Sequence, residues 1–196
     1  MKKLLFTAAI AVLGFTSVNA QEDTTTGGFA KGDVFVTGAV TFGSESTDDV
    51  KASRFEFAPQ VGYFVSENIA VGLRAGFVSE KAENGSVDTV DNSGFGVGAF
   101  GRYYFTPANQ FSLFAQLGVD YESMDNKLAD VQTGEFGVNL GAGLNYFVSS
   151  NFSIEAGVAV LGYSSNDNGG NGAESTNSFA FGGDWTAVTF GVNYKF

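Results

Sequence analysis

The nine residues Val188-Thr189-Phe190-Gly191-Val192-Asn193-Tyr194-Lys195-Phe196 alternate apolar with small or polar side chains without a break. A period of two marks a strand with two unlike faces, because successive side chains leave a pleated backbone on opposite sides. Val188, Phe190, Val192, Tyr194 and Phe196 share one face; Thr189, Gly191, Asn193 and Lys195 share the other. A strand in water would gain little by ending on an exposed Phe.

Working back from this stretch, the same alternation recurs over residues 34–42, 55–65, 69–77, 95–105, 111–121, 136–146 and 152–160, which makes eight strands. The connections alternate too. Ser66-Glu67-Asn68, Thr106–Gln110 and Ser149-Ser150-Asn151 are short, whereas Ser44–Ala52, Ala82–Asn92, Ser123–Gln132 and Ser164–Asp184 read as long polar loops. Short turns at one end and long loops at the other fit an all-β, eight-stranded antiparallel up-and-down barrel with both termini on the short-turn side.

The apolar face could line a ligand cavity in a soluble barrel or meet lipid in a membrane barrel. Its aromatics are sorted by depth. Tyr63, Tyr103, Phe105, Phe111, Tyr146, Phe152, Tyr194 and Phe196 stand near the short turns. Phe42, Phe55, Phe77, Phe95, Tyr121 and Phe136 stand near the long loops, with Val61, Leu73, Val97, Leu117, Leu140 and Val158 between. Two aromatic girdles around an aliphatic band match the two interfaces of a bilayer. A ligand cavity gives no reason for such sorting, so the pattern predicts a transmembrane barrel in contact with outer-membrane lipid.

With that pattern in place, Val192-Asn193-Tyr194-Lys195-Phe196 resembles the closing strand of bacterial outer-membrane barrels. The resemblance implies that the barrel-assembly machinery reads a signal carried by Phe190, Val192, Tyr194 and Phe196. The whole chain from residue 33 resembles the small eight-stranded outer-membrane proteins of the OmpA-transmembrane and OmpX-like kind. It implies a cell outer-membrane location with both termini periplasmic, and a structural or surface-interaction role in adhesion or envelope integrity. A narrow channel for small solutes or hydrophobic compounds is the alternative. The peptidoglycan-binding domain of full-length OmpA-like proteins has no counterpart in the sequence, and the resemblance implies an extracellular partner met through the long loops.

Residues 1–20 are a separate object: Lys2 and Lys3, an apolar run from Leu4 to Phe15, then Val18-Asn19-Ala20. This is the pattern of a secretory signal peptide, too short to span a bilayer as a helix. It places the mature start at Gln21, followed by a flexible periplasmic lead-in over 21–32 and a barrel domain over 33–196. The formal charge is −11 and becomes two units more negative once Lys2 and Lys3 are lost. Such a chain repels nucleic acid. The absence of Cys and His removes disulfides, thiolate metal sites and the commonest general base. The sequence therefore predicts no enzyme activity, no cofactor and no metal.

Gly96-Val97-Gly98-Ala99-Phe100-Gly101 spells a dinucleotide fingerprint, but it lies inside a strand with no helix after it, where the motif has no phosphate to cradle. The spacing of Gly137 and Gly141 resembles a helix-dimer motif inside an alternating strand, and strand wins. What remains is charge on the inward face. Arg74, Arg102, Glu56 and Glu155 are expected to share the lumen, with Gln116 at the depth of Arg74, Arg102 and Glu155. Eight strands enclose room for side chains and little more. The cluster therefore reads as a plug of paired charges rather than an ion-conducting constriction.

Overall fold

The computed structural model describes residues 27–170, 172–182 and 188–196. The signal sequence expected over residues 1–20 and the start of the lead-in lie outside them. The strands are β1 (Val34–Thr47), β2 (Val50–Phe64), β3 (Ile69–Asn84), β4 (Val87–Tyr104), β5 (Phe111–Asn126), β6 (Val131–Phe147), β7 (Phe152–Asn166), β8 (Thr176–Phe181) and β9 (Thr189–Lys195). Each of β1 to β6 pairs antiparallel with the next. β9 pairs with β7 on one side and β1 on the other, which closes the ring. β8 pairs with the far end of β7. β8 and β9 are thus two pieces of one eighth strand, and the barrel has the expected strand count.

Three of the four expected loops are mostly strand, and the fourth is strand in part. The β1–β2 ladder continues from Ser44–Ser53 to Thr47–Val50 and turns on Asp48-Asp49 alone, with Asp48 at positive φ. β3 and β4 stay paired to Asn84–Val87, around Gly85-Ser86. β5 and β6 stay paired to Asn126–Val131. The fourth stretch, Ser164–Asp184, contains the end of β7 and all of β8. The reason is physical. Hydrophobic alternation ends where the apolar band ends, but a ladder needs only backbone donors and acceptors and continues with polar side chains on both faces. Two-residue turns with φ > 0 are what such hairpins use.

A second difference lies in β7. The β6–β7 register shifts between Leu140 and Gly141, so that Leu140 faces Leu161 while Gly141 faces Ala159. Val160 is the extra residue of a bulge, which reverses the alternation beyond it. Tyr163 consequently takes an exposed outward position and completes the far girdle with Phe42, Phe55, Phe77, Phe95, Tyr121 and Phe136.

The outward face decides between the two barrels. Leu73 is 63% exposed and Phe95 57%, and Val61, Val97, Leu117 and Leu140 are also exposed. The buried aromatics, Phe29, Phe35, Phe64, Phe100, Tyr104, Phe114 and Phe147, are all inside the ring. The chain turns its aliphatic band outward.

Candidate functional site: the lumen

Inward-facing side chains fill the barrel in stacked levels. Nearest the short turns is an aromatic floor. Phe64 and Tyr104 lie 5.1 Å apart, Tyr104 and Phe114 5.4 Å, and Phe35 and Phe64 5.9 Å between ring centroids. These residues occupy the phase of their strands that elsewhere carries polar or small side chains, which the narrowing end of a barrel closed by side chains requires.

Above the floor sits Arg102, 3% exposed. Its Nη1 donates to Glu155 Oε2 at 2.8 Å and to the Tyr104 hydroxyl at 2.9 Å. Its Nε and Nη2 both donate to Gln116 Oε1, at 2.9 and 2.6 Å. The guanidinium also lies 4.1 Å from the Phe114 ring centre, a cation–π contact. Glu155 in turn accepts from Asn193 Nδ2 at 3.1 Å, and Asn193 ties to Asn145 at 2.9 Å, to Ser153 at 3.2 Å and to Thr37. Carrying a charge inside a ring of phenyl groups is tolerated because nearly every donor has an acceptor.

Arg74 belongs to a different level. It faces Gly98 in the β3–β4 ladder, whereas Arg102 faces Ala70. Arg74 pairs with Asp120 through both Nε and Nη2, and Asn139 Nδ2 donates to the same Asp120 at 2.7 Å. A Cβ at Gly98 would run into Asp120 and Arg74, and one at Gly118 into Arg74 and Asn139. Those two glycines make the space this fork needs. Glu56 stands at a third level, 3.0 Å from Arg54, which also pairs with Glu80; these groups are half-exposed.

The expected four-residue cluster is therefore divided. Arg102 and Glu155 meet, with Gln116 beside them; Arg74 and Glu56 each pair elsewhere. Counting residues from the turns fails because strands of a closed barrel tilt and stagger, so equal counts on different strands are unequal depths. Asp120 and Asn139 are the partners that counting missed, although both lie on the inward phase. The glycine motif 96–101 lies within β4, and Gly137 and Gly141 lie within β6.

A closed eight-stranded ring with a side-chain-filled interior, an outward aliphatic band and two aromatic girdles has the build of a membrane barrel. Residues 8–196 match the outer membrane protein beta-barrel domain family. The chain belongs to that family. No curated protein sequence matches it. Among solved structures it is similar to the outer membrane protein OprG from Pseudomonas aeruginosa, at 16% identity and TM-score 0.51, over 86% of this chain and 98% of that one. It is similar to the N-terminal β-barrel domain of Pseudomonas aeruginosa OprF at 20% identity and TM-score 0.50, over 86% of this chain and all of that one. Neisserial surface protein A gives 20% identity and TM-score 0.51, over 85% of this chain and all of that one. Identities this low speak for the fold alone.

As an outer-membrane barrel of Gram-negative bacteria, the protein presents its aliphatic band to lipid. An Arg on that band at mid-depth would cost about 2–4 kcal/mol, and Arg74 and Arg102 both point inward to carboxylates instead. Phe190, Val192, Tyr194 and Phe196 are exposed on the outer surface near the seam. Tyr194 lies 4.8 Å from Phe196 and 4.9 Å from Phe152, ring centre to ring centre.

Proposed function

We propose that this outer-membrane barrel is a non-conducting, non-enzymatic scaffold whose work is structural or surface interaction, in adhesion or envelope integrity. One observation carries the reading: Arg102 and Glu155 bridge the lumen at 2.8 Å above an aromatic floor. The Arg74–Asp120 fork forms another level beyond them. A lumen of eight strands has little room around such side chains. The hairpins at the far end, which rise beyond the outer girdle, would then meet the extracellular partner. Both termini would lie in the periplasm, the mature chain would begin at Gln21, and Phe190, Val192, Tyr194 and Phe196 would address the barrel-assembly machinery.

The narrow-channel reading has one observation in its favour. A recess of about 300 Å³ lies among Asp120, Glu122, Glu135 and Asn139, and reaches the wall beside Phe179 of β8. Single-channel recording on refolded protein in planar bilayers separates the two. The scaffold gives no steady conductance, and a steady, ion-selective current refutes it.

A further inference from the structure

Residues Gly27–Gly32, the described part of the lead-in expected over 21–32, lie together with Asp33 across the short-turn mouth as a strap. The Phe29 amide donates to the Pro107 carbonyl at 2.7 Å, the Gly32 amide to the Phe64 carbonyl at 2.9 Å, and the Phe64 amide to the Asp33 carbonyl at 2.9 Å. Lys195 Nζ donates to the Gly28 carbonyl at 2.5 Å and lies 3.7 Å from Asp33 Oδ2. The strap thus touches the end of β2, the β4–β5 turn and β9.

Its one large apolar side chain turns into the ring. Phe29 is 2% exposed, with ring centroids at 4.7 Å from Phe64, 4.8 Å from Phe147 and 5.4 Å from both Phe35 and Tyr104. Its neighbours Ala30 and Lys31 are exposed. The residues before it are fitted as closely. A Cβ on Gly27 would collide with the Ser149 carbonyl and the Phe147 ring, and one on Gly28 with the Ala108 carbonyl. Only a chain without side chains at these two places can bring Phe29 to the centre of the mouth.

We propose that Gly27–Asp33 is a built-in stopper, with Phe29 as its plug, that closes this mouth independently of the Arg102–Glu155 level. The walls of the cup come from β1, β2, β4 and β6, but its centre is filled from a segment outside the sheet. A segment held by a few bonds to turns and strand ends opens at lower free energy than the ladder does. The stopper can therefore leave its seat while the barrel stays closed around it. The inference rests on packing at the mouth, not on whether the lumen conducts.

The chain has no Cys, so a single reporter thiol can be placed at Ala70, which is fully buried in the same aromatic cluster. The measurement is the rate at which a hydrophilic maleimide labels refolded A70C barrel. Heat-modifiable gel mobility confirms folding. F29A and G28V, each added to A70C, should speed labelling by at least about tenfold, one decade being 1.4 kcal/mol of seating free energy. K31A should leave the rate unchanged. Labelling equally fast, or equally slow, in A70C and in both folded variants overturns the stopper. Hydrogen exchange on the unaltered protein supplies a reading that no variant can spoil. The Phe29 and Gly32 amides should exchange well before that of Tyr104, and exchange of all three together overturns removability.

Discussion

Replacing Arg102 with Ala tests the plugged lumen most directly, because the two readings of the barrel disagree about its cost. The substitution removes one ion pair, two bonds to Gln116, one to the Tyr104 hydroxyl and the stack on Phe114. It leaves Glu155, 7% exposed, with Asn193 as its remaining donor. Breaking a buried pair from one side costs about 3–5 kcal/mol, because the surviving charge stays desolvated. In a water-filled pore the stranded carboxylate is hydrated, and the loss is that of an exposed pair, about 0.2–1 kcal/mol. The assay is urea unfolding of refolded barrel in lipid vesicles, run as a double-mutant cycle with E155Q, which removes the charge but keeps the shape. R102A should lose several kcal/mol, R102A/E155Q should recover much of that, and conductance should stay near zero throughout. A loss below about 1 kcal/mol with no coupling to E155Q, together with a wild-type current whose selectivity moves toward cations in R102A, refutes the reasoning.

Mass spectrometry of protein from an outer-membrane fraction should find Gln21 at the N-terminus; Met1 retained in assembled barrel counts against the leader. Deleting Phe196 should reduce insertion in cells more than refolding in detergent, since the ring is 69% exposed and its amide makes a single seam bond to the Val34 carbonyl. Equal losses in the two assays would mean that Phe196 acts by packing alone. Protease added to intact cells should cut between Asp167 and Ser175, the connection of β7 to β8, and spare Ser149–Asn151; the reverse pattern inverts the topology. Asp167 accepts from the Gly134 amide at 2.8 Å and the Gly169 amide at 3.0 Å, and these bonds hold its pKa below the ordinary carboxylate value. Because the folded pKa is lowered, the order it gives this turn is fully present above the ordinary value and lost as pH falls through the folded one. NMR shifts of the Gly134 and Gly169 amides should follow that titration, and D167N should show the acid pattern at neutral pH.

Much of the barrel was legible because the membrane imposes one rule on every strand. Any outward residue within the bilayer must be apolar, so the alternation around Val61, Leu73, Val97 and Leu140 reports strand and face together. The rule stops at the girdles. Beyond Phe77 and Phe95 both faces meet water, the ladder runs on through Ser79–Ser93 and Lys81–Asp91, and no side-chain period marks it. Local turn chemistry was the surviving signal: Gly85-Ser86 between the paired Asn84 and Val87 puts a Gly at positive φ in the first place of a two-residue turn, a hairpin mark. The bulge at Val160 was hidden for another reason. An inserted residue on an apolar strand changes phase without changing composition, and only the aromatic at Tyr163 betrays the new face.

Inside the ring the information was of a different kind, and it explains why the charged residues were found but their separate levels were not. Inward positions of a narrow barrel are mutually dependent. Phe114 can reach across only because position 143 is Gly, where a Cβ would strike its ring, and Phe100 only because position 72 is Gly. Arg74 reaches Asp120 through the space left by Gly98 and Gly118. A large residue and its vacancy lie on different strands, directly opposed in the ladder for Phe114 and Gly143 and for Phe100 and Gly72, so neither can be located from its own strand. The floor carries the same dependence into the segment before β1, where Gly27 and Gly28 fit against Phe147, Ser149 and Ala108 and so let the chain bring Phe29 to the mouth. A polar, glycine-rich stretch reads as flexible when considered alone. Beside four buried rings that need a fifth at their centre, the same glycines become the condition for closure.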